Sequence, residues 1–271
     1  MNPEIPNRKG ARKVDDIPDE VLELLNKGEI ETANLTEWLA IDQVALITET
    51  FPSIGLEEMV QPLQEKLARQ KKPSTMNSVK LVGEEVYEVS AKTNQTEVIF
   101  QNLLQHPSDT VRCYAPYLIT LNNAYSIEEK LKRIKPLVAD KHFGVREVVW
   151  IAARPFVDQE LAKSIQVLSG WTSSGDENVR RFTSEATRPR GVWCKHIESL
   201  KENHKQGLPI LEPLKSDPAK YVQDSVGNWL NDASKSRPAF VAQLCDRWKA
   251  ESPTQATQKI IKRARRTIDK K

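Results

Sequence analysis

The chain has 271 residues, of which 39% are hydrophobic and 28% charged, and its formal net charge at pH 7 is +3. This composition supports a hydrophobic core, and it excludes a strongly basic or acidic protein whose partners are chosen by overall charge. No stretch approaches the ~18 apolar residues of a transmembrane helix, and the N-terminus lacks the apolar core of a secretory signal, so we expect no membrane association.

Apolar residues at helical spacing predict a succession of short helices, and no segment alternates apolar and polar residues long enough to predict a strand. Residues 1–15 are polar and basic and are expected to be poorly ordered. The predicted helices cover, in chain order, 18–28, 36–47, 56–69, 76–89, 97–104, 111–121, 127–138, 145–153, 159–168, 179–186, 208–214, 222–230, 238–248 and 253–268.

One dipeptide recurs at a fixed distance in the second half of the chain. Val111-Arg112, Val145-Arg146 and Val179-Arg180 are spaced by 34 residues, and each follows an acidic or turn-forming segment. A looser fourth copy, Val222-Gln223, comes 43 residues after the third. Self-similarity at a period of roughly 20–50 residues is typical of stacked repeats. The order of acid, turn, Val-Arg and helical apolar residues predicts two-helix HEAT-type repeats.

The repeats predict an all-α fold, a HEAT-like superhelix (α-solenoid) whose concave face is the expected binding surface. After a flexible N-terminus over residues 1–15, we expect a single repeat domain over residues 16–271. Within it, residues 16–105 would form capping helices, residues 106–250 the repeat core and residues 251–271 a basic C-terminal helix, because terminal repeats are usually atypical.

Two Arg-Pro dipeptides, Arg154-Pro155 and Arg188-Pro189, share the 34-residue spacing. Because a proline disfavours helical conformation in the residue before it, each dipeptide is expected to end or kink its helix. The arginine would then lie at a helix C-terminus, where the macrodipole favours a cation by about 0.3–1 kcal/mol. This local electrostatic role is the simplest explanation of the two arginines.

The cysteines and histidines predict neither a disulfide framework nor a metal site. The three cysteines are far apart and include no CxxC pair, which favours a reducing interior compartment. The four histidines show no spacing typical of metal ligands. We therefore expect no cofactor. These residues are Cys113, Cys194 and Cys245, and His106, His142, His196 and His204.

Carboxylates and tryptophans cluster on the repeat helices. The carboxylates are Glu147, Glu185 and Asp232, and the nearby tryptophans are Trp150, Trp193 and Trp229. Taken singly, each residue has an ordinary structural explanation. Glu185 can pair with Arg181 one helical turn away for a few tenths of a kcal/mol, the tryptophans can fill the core, and Asn231-Asp232 can end a helix.

Taken together, these residues suit a ligand that is cationic in one part and polyanionic in another. Indole faces attract cations by roughly 0.5–2 kcal/mol, and carboxylates attract them more strongly in a partly dry cleft. Basic side chains around them suit phosphates, so an alkylated nucleobase within a nucleic acid fits. The candidate backbone contacts are Arg154, Arg181, Arg188, Arg190, Lys195 and Lys235.

Four segments, residues 17–32, 146–155, 181–193 and 225–235, carry a recognisable set of motifs. The last three include Arg146-Glu147, Ser184-Glu185 with Thr187-Arg188-Pro189-Arg190, and Asn231-Asp232. They resemble the AlkC branch of the AlkC/AlkD DNA alkylation repair proteins. The resemblance covers nearly the whole chain, and its most specific part is the ordered set Glu147, Glu185, Trp193 and Asp232.

The resemblance implies a HEAT-like superhelix that binds double-stranded DNA containing alkylated bases. It also implies a monofunctional DNA glycosylase of base excision repair, which removes N3-alkylated bases, chiefly 3-methyladenine with 3-methylcytosine as a second candidate. Such a protein would be a monomer in the cytoplasm of a bacterial-type cell, associated with the nucleoid when bound to DNA.

The resemblance also assigns roles to individual residues. Glu147, Glu185 and Asp232 would be the catalytic carboxylates, Trp193 would contact the lesion and Arg181 would hold the DNA backbone. Since an N3-alkylated base is already cationic, the carboxylates need only stabilise an oxocarbenium-like sugar and position water. Asp232 or Glu185 is expected nearest the sugar, and the sequence does not rank the three. Further candidates for lesion contact are Trp150 and Trp229.

Three positions depart from the family pattern. Val148 stands where an aromatic residue is common, Ala186 where glycine is common, and Gly191-Val192 where Leu-Pro is common. These departures are expected to affect the shape of the pocket and its choice of lesion. We expect no counterpart, after the helical region, of the immunoglobulin-like domain that some relatives carry.

Two other interpretations remain open at this stage. A non-catalytic binder of unusual DNA structures could use the same scaffold, although three carboxylates on a binding face would repel DNA and so favour the enzyme. A protein–protein scaffold is the default function of HEAT repeats. It predicts no DNA binding that weakens steeply with salt.

Overall fold

The computed structural model describes residue 5, residues 8–192 and residues 194–270. In these residues every regular element is a helix, so the prediction of an all-α fold is confirmed. None of the described helices is both long and apolar enough to cross a bilayer. The chain forms two compact units, Met1–Ala124 with Asp140–Val149, and Tyr125–Ala139 with Trp150–Lys271. The single repeat domain over residues 16–271 stays a prediction.

The first unit consists of short helices packed around one long helix, α5. Its apolar positions Val79, Val82 and Val86 are fully buried at helical spacing, and α5 packs against α3, α4, α6 and α8. The helices are α1 (Asp19–Asn26), α2 (Leu35–Ala40), α3 (Gln43–Thr50), α4 (Val60–Ala68), α5 (Thr75–Lys92), α6 (Thr96–Leu104), α7 (Asp109–Arg112) and α8 (Ala115–Thr120).

Two segments predicted as single helices are each two helices. Residues 36–47 divide at Ile41 and Asp42. The extended backbone of Ile41 ends α2, and the carboxylate of Asp42 accepts hydrogen bonds from the N–H groups of Val44 and Ala45 at the start of α3. Residues 111–121 divide between α7 and α8, and Pro116 lies in the first turn of α8. Both corrections have one cause, because apolar periodicity continues across a cap that restarts the helix.

A fully buried carboxylate ties the loop after α1 to the start of α7. The backbone N–H of Thr32 donates to Asp109 Oδ1 at 2.8 Å, and its hydroxyl donates to Oδ2 at 3.0 Å. His142 Nδ1 lies 3.2 Å from the same Oδ2, and Nε2 lies 2.7 Å from the carbonyl oxygen of Thr32. Burial raises the pKa of Asp109. The cluster is closed to solvent and acts as a structural link.

The second unit is organised around α15. Trp229 of α15 and Trp248 of α16 are fully buried, and α15 packs against α12, α16 and α17. The helices are α9 (Ile127–Val138), α10 (Phe143–Gln159), α11 (Leu161–Ser169), α12 (Glu177–Ala186), α13 (Glu198–Glu202), α14 (Leu208–Leu211), α15 (Lys220–Ser234), α16 (Pro238–Glu251) and α17 (Gln255–Ala264), and a 3-10 turn, Arg265–Thr267, follows α17. The sequence did not predict α13. Helix α10 begins in the first unit and ends in the second.

Of the two outcomes predicted for Arg154-Pro155, an end of the helix or a kink, the end is wrong, because α10 continues through Pro155 to Gln159. The ring of Pro155 is exposed, whereas Phe156 and Val157 behind it are buried. Burial of these side chains outweighs the ~3 kcal/mol that an internal proline costs. The second dipeptide behaves as predicted, since α12 ends at Ala186 before Pro189.

The basic residue of each repeat binds the turn that precedes its own helix. Arg112, Arg146 and Arg180 each donate from Nη1 to the two carbonyl oxygens five and six residues earlier, at 2.7 to 3.2 Å. Gln223 makes the same two contacts with Nε2, at 2.8 and 3.2 Å. The looser fourth copy is therefore a structural equivalent of the other three.

Two repeat arginines also pair with a carboxylate in the turn before a later helix of the same unit. Arg112 Nε lies 2.9 Å from Asp140 Oδ2, and Arg180 Nε lies 2.6 Å from Asp217 Oδ2. All four of these side chains are largely buried. The Val-Arg motif thus fastens successive turns together, which explains why its spacing matches that of the helix starts at Asp109, Phe143 and Glu177.

Candidate active site

An open pocket in the second unit contains one of the predicted carboxylates. Its volume is about 380 Å³, and its lining consists mainly of cations and amides: Arg188, Arg190, Gly191, Val192, His196, Asn228, Asn231, Asp232, Lys235 and Arg266. Four of these residues come from α15 and the residue that follows it, at Asn228, Asn231, Asp232 and Lys235. Since positions i, i+3, i+4 and i+7 share one face of a helix, α15 presents them together.

Asp232 is almost completely held by cations. Arg188 donates to its Oδ2 from Nε at 2.9 Å and from Nη2 at 2.7 Å. Lys235 Nζ donates to Oδ1 at 3.0 Å. The side chain of Asp232 is 5% exposed, and that of Lys235 is 44% exposed. The carboxylate is therefore held in one orientation at the wall of the pocket, with the partly exposed Lys235 on its other oxygen.

Glu185 lies one layer deeper than Asp232 and does not line the pocket. Arg188 Nη1 donates to Glu185 Oε1 at 2.7 Å, and the hydroxyl of Ser225 donates to Oε2 at 2.7 Å. Arg181 Nη2 lies 3.7 Å from Oε2. Arg188 therefore joins two of the three predicted carboxylates, Glu185 and Asp232, in one network.

Charges in this network control the ionisation of its buried members. Burial alone would raise the pKa of Glu185, but Arg181, Arg188 and the hydroxyl of Ser225 together hold it below its usual value. Burial likewise works to lower the pKa of Arg188, and the carboxylates of Glu185 and Asp232 raise it overall. The network thus keeps Glu185 anionic and Arg188 cationic despite their burial.

Two further side chains fix the backbone from which Arg188 extends. Arg154 donates from Nη1 to the carbonyl oxygens of Ala186 and Arg188, at 3.2 and 2.9 Å. Its Nη2 donates to the carbonyl oxygen of Lys195 at 2.9 Å. The indole N–H of Trp229 donates to the carbonyl oxygen of Thr187 at 2.8 Å. Carbonyls at the C-terminal end of α12, which have no partner within the helix, are satisfied in this way.

Three of the predicted contact residues are buried in this structure. Trp229 is 0% exposed and Trp150 is 2% exposed, so both pack inside the fold in this structure, and their contact with a lesion stays a prediction. Arg154 is 3% exposed and occupied by three carbonyls, so it is not available to a DNA phosphate. The sequence did not predict this burial, because an arginine or a tryptophan appears the same in a sequence whether it faces solvent or a neighbouring helix.

The other predicted backbone contacts differ in how accessible they are. Arg190 lines the pocket and donates from Nη2 to Ser236 Oγ at 2.8 Å. Lys195 is exposed. Arg181 is largely buried, with its guanidinium 4.3 Å from the ring centroid of Tyr221. The guanidinium of Arg188 is paired with the carboxylates of Glu185 and Asp232. Arg190, Lys195 and Lys235 therefore keep the accessibility that a phosphate contact needs.

The C-terminal 3-10 turn supplies a pocket residue that the sequence analysis missed, Arg266. Asn231 Oδ1 accepts hydrogen bonds from the N–H and the hydroxyl of Thr267, at 3.2 and 3.1 Å. Asn228 Oδ1 accepts from Arg266 Nη2 at 2.8 Å. The two asparagines thus hold the turn against α15. Arg266 is one of many basic residues near the C-terminus, and nothing local distinguishes it from its neighbours.

One predicted carboxylate, Glu147, is not among the residues that line this pocket. Glu147 is half-buried on the part of α10 that belongs to the first unit, and its catalytic role stays a prediction. Trp193 lies outside the described residues. In the described part of the chain, no group of three or more His, Cys, Asp or Glu side chains could hold a metal ion.

Of the departures from the family pattern, only Gly191-Val192 lies in the pocket lining. Val148 and Ala186 are fully buried. A Cβ built at Gly191 would overlap Cys194 Sγ and come within 3.2 Å of the guanidinium of Arg154. Close packing against these two side chains therefore explains why residue 191 is a glycine.

A comparison with protein-family models matches residues 75–263 to the family described as DNA alkylation repair enzyme. The chain belongs to this family. A relative named "Uncharacterized protein YhaZ" from Bacillus subtilis (strain 168) is 39% identical over 147 residues, which are 54% of this chain and 40% of the relative. The chain thus matches less than half the length of this curated relative.

Solved structures of the same fold confirm the HEAT-like helical repeat. Pseudomonas fluorescens alkylpurine DNA glycosylase AlkC, bound to DNA containing an abasic site analog, has a TM-score of 0.65 and 21% identity, covering 96% of this chain and 66% of that one. AlkD2 from Streptococcus mutans has a TM-score of 0.60 and 24% identity, covering 79% and 99%. The protein smu.31 from Streptococcus mutans UA159 has a TM-score of 0.57 and 24% identity, covering 75% and 98%.

Proposed function

We propose that the protein is a monofunctional DNA glycosylase that hydrolyses the N-glycosidic bond of N3-alkylated bases in double-stranded DNA. Membership of the DNA alkylation repair enzyme family supports this reaction class. The observation that carries the proposal is the position of Asp232, a carboxylate at the wall of an otherwise basic pocket. A purely phosphate-binding pocket gains nothing from a buried anion, whereas a glycosidase needs one beside its reacting sugar.

The charges of the pocket suit a sugar flanked by phosphates. The charges of Arg188 and Glu185 offset each other, so the lining carries the cations Arg190, Lys235 and Arg266 against the single carboxylate of Asp232. Cations at the rim of such a pocket bind the DNA backbone and position it. Asp232 would then lie against the deoxyribose that the backbone brings in.

The proposed reaction needs no acid to protonate the leaving base. In 3-methyladenine the alkylated base carries a positive charge, and the electron pair of the breaking C1′–N bond neutralises it as the base departs. Asp232 stabilises the positive charge that develops on the sugar. A water molecule adds to C1′ and loses its proton to the same carboxylate, leaving an abasic site and the free base. Glu147 is proposed as a second stabilising carboxylate, and 3-methyladenine and 3-methylcytosine as the substrates.

The decisive experiment is base release from duplex DNA treated with a methylating agent. We expect the wild-type protein to release 3-methyladenine, and Asp232→Asn to slow single-turnover release by about 10²–10³-fold without loss of DNA binding. Asp224→Asn is the matched control, because Asp224 lies on the same helix but pairs with Lys220 and Arg263 outside the pocket. This control should leave the rate unchanged.

The other outcomes separate the remaining interpretations. Salt-sensitive DNA binding without base release would make the protein a non-catalytic binder and refute the proposal. Neither binding nor release would favour a protein scaffold. Equal losses in Asp232→Asn and Asp224→Asn would show that the charge of α15 matters, and not the carboxylate in the pocket.

A further inference from the structure

The guanidinium of Arg188 is shared between two carboxylates that the sequence could not rank. Its Nε and Nη2 both donate to Asp232 Oδ2, at 2.9 and 2.7 Å, and its Nη1 donates to Glu185 Oε1 at 2.7 Å. The side chain of Arg188 is 11% exposed, and those of both carboxylates are 5% exposed. One rigid cation therefore determines the orientation of the carboxylate at the pocket wall.

Glu185 is fully occupied within this arrangement. One of its oxygens accepts from Arg188, and the other accepts from Ser225 at 2.7 Å. The hydroxyl of Ser225 in turn lies 2.8 Å from that of Ser184. Because Glu185 is absent from the pocket lining, it would have to break both hydrogen bonds to approach a substrate. The geometry suits an anchor for Arg188 better than a group that meets the sugar.

We propose that Arg188 is a positioning residue that acts through Asp232, and that Glu185 anchors Arg188 from behind. This inference rests on the proposed glycosylase function and refines it. Of the two carboxylates, Asp232 is then the one that contacts the sugar. Arg188 and Glu185 affect the reaction only by orienting Asp232. The flat fork of an arginine can bond two carboxylates in fixed directions, which the single ammonium of a lysine cannot do.

The charges of the cluster argue against Arg188 as a phosphate contact. Glu185 and Asp232 both lie within hydrogen-bond distance of Arg188, so a phosphate approaching Arg188 would meet two carboxylates there. Among the described residues, the hydrogen bond of Arg190 goes from Nη2 to the neutral hydroxyl of Ser236 and not to a carboxylate. A phosphate is thus expected to bind Arg190 and not Arg188.

The surrounding backbone is built to hold the direction of Arg188. Arg154 binds the carbonyl oxygen of Arg188 itself, and Trp229 binds that of Thr187. Both side chains are buried. Side chains on α10 and α15 therefore fix the backbone just after α12, at Thr187 and Arg188. The backbone conformation of these two residues determines the direction of the Arg188 guanidinium. Two residues that the sequence assigned to DNA and lesion contact thus contribute to this orientation.

The test is a double-mutant cycle between Arg188→Lys and Asp232→Asn. The readouts are the single-turnover rate of 3-methyladenine release and the affinity for methylated duplex at several salt concentrations. We expect Arg188→Lys to slow release by about 10–10²-fold in the wild-type background, because misplacing a catalytic group by about 1 Å can cost 10²-fold. In the Asp232→Asn background the same substitution should change the rate little, since no carboxylate remains to be oriented. DNA affinity and its salt dependence should be unchanged.

Arg180→Lys is the matched control for loss of a buried ion pair. Arg180 makes a comparable two-point contact with Asp217, at 2.6 and 3.0 Å, in the same unit but outside the pocket. We expect Arg180→Lys to lower the urea midpoint about as much as Arg188→Lys does and to leave the single-turnover rate of base release unchanged. A purely structural role of Arg188 would instead make the two variants alike in both stability and rate.

Three results would overturn the inference while leaving the proposed function intact, provided that the wild-type protein releases base. The first is an equal rate loss from Arg188→Lys in both backgrounds, which would mean that Arg188 acts on the substrate itself. The second is weaker DNA binding with a salt slope reduced by about one, the mark of a lost phosphate contact. The third is an equal rate loss in Arg180→Lys. Absence of release by the wild-type protein would refute the proposed function itself, and with it this role of Arg188.

Discussion

Arg154 donates a hydrogen bond of 2.9 Å from Nη1 to the carbonyl oxygen of Arg188, 34 residues later in the chain. The two residues occupy equivalent positions in the repeat, each before a proline, but their side chains make different contacts. That of Arg154 is buried and binds three backbone carbonyls, and burial lowers its pKa. That of Arg188 extends to the pocket and binds two carboxylates. The same position of the repeat therefore carries a structural arginine, Arg154, in one copy and a pocket arginine, Arg188, in the other.

The first prediction concerns the structural role of Arg154. Arg154→Met should lower the free energy of unfolding by about 2–4 kcal/mol, because several buried carbonyls lose their donor. Urea unfolding measures this loss. The salt slope of DNA binding should stay at the wild-type value.

Lys195→Gln is the complementary variant, since Lys195 is exposed and its side chain is free to meet a phosphate. It should leave the urea midpoint unchanged and reduce the salt slope by about one. A reduced slope in Arg154→Met at full stability would restore the backbone contact that the sequence suggested for Arg154.

The second prediction concerns the pH dependence of stability that Glu185 brings. Its pKa is lowered in the folded protein, so its contribution is complete above its ordinary value of 4.5 and is lost as the pH falls below that value. Glu185→Gln should therefore destabilise the protein at neutral pH, by on the order of 3 kcal/mol. The difference between the two proteins should shrink as the pH is lowered from about 5 towards 3.

Urea midpoints of both proteins, measured across this pH range, test the prediction. His106 and His204, whose pKa values burial lowers from 6.5 to about 4, destabilise the protein as the pH falls from about 6.5 to about 4. They do so equally in the two proteins and cancel in the difference. A difference that is constant from pH 7 to pH 3 would mean that Glu185 is not an anion in the folded state.

The third prediction concerns the fourth repeat. Gln223 is 5% exposed and donates to two carbonyl oxygens of the preceding turn, so Gln223→Ala should cost about 1–3 kcal/mol. Gln206→Ala is the control, because Gln206 also donates to two carbonyls, at 3.2 and 3.4 Å, but at the surface. Urea unfolding should separate the two variants clearly, and equal small losses would show that the turn contact adds nothing.

The fourth prediction concerns the packing of Gly191. Gly191→Ala should destabilise the protein by about 1–3 kcal/mol, because the added methyl group overlaps Cys194 and presses on Arg154. The control Gly175→Ala meets no atom within 4 Å and should be neutral or slightly stabilising. Thermal unfolding checks both variants. The double variant Gly191→Ala, Cys194→Ala should recover part of the loss if the overlap with the sulfur is its cause.

Local patterns were sufficient for the fold. The 34-residue spacing of Val111, Val145 and Val179 reflects a contact that each repeat makes within itself, from the basic residue to the turn five and six residues earlier. Because this contact lies within each repeat, the residues that make it recur in the sequence at the spacing of the repeats. The all-α class and most helix positions, including α9 to the residue, followed from the same kind of local information. The helix breaks at Asp42 and before Pro116 did not follow from local information, because apolar periodicity continues unchanged across a helix cap.

The site depended on distances across the fold. The sequence identified Glu185 and Asp232 as a related pair, but only the packing of α12 against α15 decided that Asp232 lines the pocket and that Glu185 lies behind Arg188. Hydrogen bonds to the backbone just after α12 hold Arg154 and Trp229 inward. The physical reason is that burial and charge pairing are set by neighbours 30 to 45 positions away. A residue's type and local spacing specify the helix face it occupies, whereas the helix packed against that face decides whether it meets solvent, a carbonyl or a substrate.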